Sequence, residues 1–98
     1  MKQHQYRITV EHLADKDGNV VEREPLQFDA PNHDDIFEII ERTKEREGMS
    51  GNIAARFAVG LKLMTEPMME DKGNPLFSRL RPHIMEMMKI IKQKDKRE

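Results

Sequence analysis

The chain has 98 residues, 37% of them hydrophobic and 36% charged, with a formal net charge of −1 at neutral pH. That length fits one domain around one hydrophobic core, and the composition is that of a globular rather than a disordered chain. The lack of cysteine excludes disulfide frameworks, thiolate metal sites and cysteine nucleophiles, and no stretch approaches the ~18 uninterrupted apolar residues of a membrane span.

Residues 1–10 alternate polar and apolar side chains instead of presenting the apolar core of a secretory leader, so a reducing, cytoplasmic location is expected. The near-zero net charge hides an asymmetry. Residues 1–50 carry 7 basic and 12 acidic side chains, hence −5, whereas residues 51–98 carry 10 basic and 6 acidic ones, hence +4. Such a polarity can orient the molecule towards a partner or another copy of itself.

The chain begins with a strand pattern. Tyr6, Ile8 and Val10 alternate with Arg7, Thr9 and Glu11, which predicts a half-buried strand with the first three facing the core. Asp15-Lys16-Asp17-Gly18-Asn19 concentrates turn formers before an extended run resumes from Val20 to Phe28, so residues 4–29 read as a β-hairpin. Pro25 lacks an N–H and should interrupt the second strand.

Three helices are expected next. Asn32 can cap a helix over about 33–47, with Asp34 and Asp35 in its first turn and Ile36, Phe37, Ile39, Ile40 and Thr43 as its apolar stripe. Glu38 and Arg42 have the spacing of an exposed ion pair, and Gly48 stops the helix. Ser50 can cap a second helix over about 51–65, with Ile53, Phe57, Gly60, Leu61 and Met64 on one face and small Ala54 and Ala58 permitting a close neighbour; Pro67 should end it. Residues 68–73 read as a loop. Asn74-Pro75 is a strong start signal for a third helix over about 75–92, with the stripe Leu76, Phe77, Leu80, Ile84, Met87, Met88 and Ile91. Pro82 predicts a kink or break near Leu80 and Arg81, and residues 94–98 read as a solvated tail. The expected architecture is α+β: an N-terminal antiparallel hairpin and three α-helices in a single compact domain.

Candidate sites are few. His33-Asp34-Asp35 has residue types that ligate metals and move protons, but consecutive residues at a helix start diverge, and two acids there are explained by the helix dipole. The segment from Asp15 to Glu24 superficially fits a calcium loop, yet Leu13 falls on the first ligand position and the flanks are strand-like. Ser50 and Ser78 lack a nucleophile elbow, and Gly48 and Gly51 follow a helix, not the strand a phosphate loop requires. No catalytic residue, metal ligand or cofactor site is therefore assigned. Arg79, Arg81, Lys89, Lys92, Lys94, Lys96 and Arg97 can meet phosphates, but without a stacking platform, and lysines also suit a helix C-terminus. Methionine is in excess between Met64 and Met88, and flexible thioethers make adaptable contact surfaces. Met68, Met69, Met85 and Met88 are the expected interaction surface.

The segments Tyr6-Arg7-Ile8-Thr9-Val10, Asn32-His33-Asp34-Asp35-Ile36, Phe57-Ala58-Val59-Gly60-Leu61-Lys62-Leu63 and Asn74-Pro75-Leu76-Phe77 resemble a family of small bacterial proteins of about this length, classed as a domain of unknown function. The resemblance spans nearly the whole chain and implies a bacterial, single-domain protein, without an activity or catalytic residue to carry over. His33, Asp34, Asp35 and Lys62 are the polar groups in the matching segments to test. The functional expectation is a non-enzymatic module for protein–protein contact or homo-oligomerisation. A nucleic-acid-associated protein using the basic end of the third helix is the alternative.

Overall fold

A computed structural model describes residues 2–93. Its elements are β1 (Arg7–Val10), β2 (Leu26–Asp29), α1 (Ile36–Lys44), α2 (Gly51–Glu70) and α3 (Pro75–Lys92). The hairpin followed by three helices is the α+β architecture expected from the pattern, and it divides into two compact units, Met1–Asp35 and Ile36–Glu98.

In the first unit, β1 and β2 pair antiparallel with Arg7 opposite Asp29, Ile8 opposite Phe28 and Val10 opposite Leu26. Isolated bridges continue the pairing at His4 with Asn32 and at Ala14 with Val20. Between the last two rungs, residues 11–13 on one side face residues 21–25 on the other. The surplus lies on the side of Pro25, which cannot donate to a ladder, so β2 begins only at Leu26. The tip closes on Asp15: its Oδ1 accepts the amides of Asp17 at 3.0 Å and Asn19 at 2.9 Å, and Gly18 takes a φ of 89°. Tyr6 and Ile8 are half-buried, but Val10 is 51% exposed, contrary to the expected core position. Val10 and its cross-strand partner Leu26 lie at the tip-side end of a two-stranded ladder, which leaves them open to solvent.

The second unit is built on α1 packed against α2. Its core is the stripe Ala54, Ala58, Leu61 and Met68 of α2, joined by Ile36 and Thr43 of α1. The alanines let the helix backbones approach. Thr43 is satisfied locally, its hydroxyl donating to the Ile39 carbonyl at 2.7 Å. Several expectations are corrected here. α1 starts at Ile36 rather than His33, and Phe37, one step round the helix from Ile36, is 70% exposed. It ends at Lys44, where the bonds from Glu45 to Arg42 and from Arg46 to Thr43 tighten the chain before Gly48 reverses it at a φ of 82°. The expected Glu38–Arg42 pair is present at 3.3 Å.

α2 does not stop at Pro67. It continues to Glu70, which makes Met68 and Met69 helical and places Met68 in the core seven residues after Leu61. A proline inside a helix costs about 3 kcal/mol, and burying a methionine recovers about 1.5–3 kcal/mol of that. α3 begins as expected: the Asn74 side chain accepts from the amides of Leu76 at 3.0 Å and Phe77 at 3.2 Å, with Pro75 in the first turn. Pro82 does not break it, since the helix runs unbroken to Lys92. Within α3 no residue is fully buried, and its stripe from Phe77 to Ile91 is half-buried.

Candidate functional site

The polar cluster at 32–35 forms where the hairpin ends. Asn32 is bridged to His4 by reciprocal backbone bonds of 2.7 and 3.0 Å, and this pairing carries its side chain inward to 2% exposure. Buried there, Asn32 Oδ1 accepts the Asp34 amide at 2.9 Å, forming a turn around His33. Asn32 is therefore not the helix cap that the pattern predicted, and Asp34 and Asp35 precede α1 instead of filling its first turn, where Glu38 stands. The Tyr6 hydroxyl donates to the Asp34 carbonyl at 3.4 Å, and the Tyr6 ring stacks on His4 at a centroid distance of 6.2 Å.

His33 and Asp34 are the candidates brought together, with His33 Nε2 3.5 Å from Asp34 Oδ2. Asp35 is half-buried at the entry to α1, and Lys62 belongs to the second unit, half-buried on α2. Among the described residues, no three His, Asp or Glu side chains converge as a metal-ligand set. The geometry here locks a turn: the buried asparagine and the tyrosine hydroxyl are both spent on backbone groups. The clearest electrostatic perturbation lies at the hairpin tip. The Asn19 amide holds the Asp15 carboxyl below its ordinary value of 3.8, with help from the Asp17 amide.

The helical methionines divide into two sets. Met68, expected on the interaction surface, is 4% exposed and belongs to the core, while Met69 and Met85 stand open to solvent and Met88 is half-buried. Nearby, α2 holds a second apolar stripe outward: Ile53, Phe57 and Met64 are each roughly 40–50% exposed. Of the face expected from the pattern, Leu61 is buried and these three are not, while Ala54 and Ala58 admit the close neighbour their size suggests, α1. Among the described residues, no helix is long and apolar enough to cross a membrane.

Two arginines clasp the helices of the second unit, a role that no local pattern announces. Arg81 donates to the Met68 carbonyl at 3.1 Å, in the last turn of α2. Arg46 donates to the carbonyls of Ile91 at 2.9 Å and Gln93 at 3.4 Å, at the end of α3. Both satisfy carbonyls that a helix C-terminus leaves without donors.

A short hairpin, three helices and a buried-asparagine turn define a small α+β domain. The chain belongs to DUF3861, a domain of unknown function with a solved structure, whose family model matches residues 4–93. It is also similar to the crystal structure, at 2.20 Å resolution, of a protein of unknown function from Pectobacterium atrosepticum SCRI1043. The two are 33% identical, with a TM-score of 0.75 over 94% of this chain and 100% of the other. No curated protein matches the sequence significantly.

Proposed function

We propose that this domain is a non-enzymatic interaction module of the bacterial cytoplasm that meets protein partners, a second copy included, through apolar side chains on its helices. The observation that supports this most is the placement of Ile53, Phe57, Met64, Met69 and Met85 at the surface while α3 buries no residue completely. Large apolar groups in solvent mark contact surfaces when they are contiguous, and methionine adapts to irregular partners. The nucleic-acid alternative has weaker support, because Arg81 is engaged with the Met68 carbonyl and Lys89 lies 3.5 Å from Glu86. Lys94, Lys96 and Arg97 lie outside the described residues.

The test combines light scattering with affinity capture from the native host, comparing the wild-type chain with the Met69→Glu, Met85→Glu double variant. The expected result is a mass above the monomer, or a specific partner lost in the variant. A strict monomer with an unchanged set of captured proteins would refute the reading. Binding to DNA or RNA that falls steeply with added salt would transfer support to the alternative.

A further inference from the structure

We propose that two copies of the chain pair through α2, antiparallel, along the outward stripe Ile53, Phe57, Gly60, Met64 and Pro67. This rests on the interaction-module reading and names the surface and its occupant. The steps of four, three, four and three residues are those of a coiled-coil seam, here about a quarter turn round α2 from the alanine stripe that forms the core.

Three observations favour a second copy. Gly60 lies inside a 20-residue helix, and a Cβ built on it meets nothing within 4 Å, so nothing in the chain itself requires a glycine there. A helix crossing at that point does, because a missing Cβ lets backbones approach. The core of the helical unit is also thin: among the described residues its buried apolar side chains are Ile36, Ala54, Ala58, Leu61 and Met68, two of them alanine. Small domains with so little buried surface commonly gain the rest by oligomerising. Finally, the charges flanking the seam complement themselves.

In the heptad defined by this stripe, antiparallel pairing sets Gly60 of one copy against Met64 of the other, and Phe57 against Pro67. The same register brings exposed Arg56 beside exposed Glu70 of the second copy, twice by symmetry, and places Leu63 near its own symmetry mate. A carboxylate offers about four lone-pair sites, so Glu70 can accept Arg56 whatever else it binds. A parallel pair would instead set Arg56 beside Leu61 of the second copy and leave it without a carboxylate. The seam is about 21 Å long. Two such faces hide on the order of 1,000 Å² in total, the lower end for a specific interface, which fits a dimer that dissociates at about micromolar concentration.

The absence of cysteine makes the register directly testable. A short bismaleimide should join Leu63→Cys copies and leave Ile53→Cys copies unlinked, because antiparallel pairing holds the two residues 53 about 27 Å apart along the axis. Arg56→Glu and Glu70→Arg should each weaken association about tenfold, and the double swap should restore it. A dimer in which Ile53→Cys links and the swaps change nothing would overturn the α2 seam while leaving self-association standing. A wild-type chain that stays monomeric at about 1 mM would overturn both.

Discussion

Met68 and Met69 are adjacent, yet their truncation should have very different consequences. Met68 is 4% exposed on the stripe it shares with Ala54, Ala58 and Leu61, and replacing a buried methionine by alanine costs about 2–5 kcal/mol in lost transfer energy and residual cavity. The lower half of that range applies, because the last turn of α2 can partly collapse onto the space. A loss of about 2–3 kcal/mol, with a urea m-value of about 1–1.5 kcal/mol/M for a chain of this size, lowers the unfolding midpoint by about 2 M. In a thermal melt it lowers Tm by about 10 °C or more. Met69→Ala, at a side chain 52% exposed, should cost less than about 1 kcal/mol. Urea titrations followed by circular dichroism, with m unchanged, measure both. An equal or larger loss for Met69→Ala would show that α2 does not continue in phase beyond Pro67.

Other consequences follow from the caps and turns. Asn74→Ala should cost about 1 kcal/mol by removing the acceptor for two amides. Ser50→Ala should fall within a few tenths of a kcal/mol, since the Ser50 side chain makes no capping bond; melting curves separate the two. Asp15 has a folded-state pKa below 3.8, so its contribution to stability is complete above that value and lost as pH falls through the lower folded one. The Asp17 and Asn19 amide resonances should therefore titrate with a midpoint below 3.8, and a midpoint at or above it would contradict the turn geometry. Gly48→Ala should destabilise by about 1 kcal/mol despite open space around the residue, because its φ is positive, whereas Gly73→Ala should be neutral or mildly stabilising in the same melts.

The features legible in the sequence are those with local causes. Asn74-Pro75 starts α3 because both residues act within one turn, and the run from Asp15 to Asn19 closes the hairpin with its own side chain and a glycine. The start of α1 was misread because Asn32 had two local uses, cap or buried turn, and pairing with His4, 28 residues away, selected the turn. The inner face of α2 was legible in part. Ala54 and Ala58 admit a close neighbour, α1, as their small size suggests, and Leu61 is buried beside them. The helix carries a second, bulkier stripe with Ile53, Phe57 and Met64, and pattern alone does not say which of the two a neighbour covers. Extension through Pro67 and the arginine clasps depend on tertiary partners, such as Ile91 for Arg46, that no local pattern announces. For the candidate site, the methionine excess did not show which thioethers face outward: Met68 turns into the core, whereas Met69 and Met85 stand exposed.

Sedimentation equilibrium of the wild-type chain over a dilution series tests the central claim most directly. The claim is that the outward apolar stripes of this domain are contact surfaces, first of all for its own second copy. It predicts a mass that rises with concentration from 11.6 kDa towards twice that value, with a midpoint at about micromolar concentration. A mass of 11.6 kDa at every concentration would contradict it.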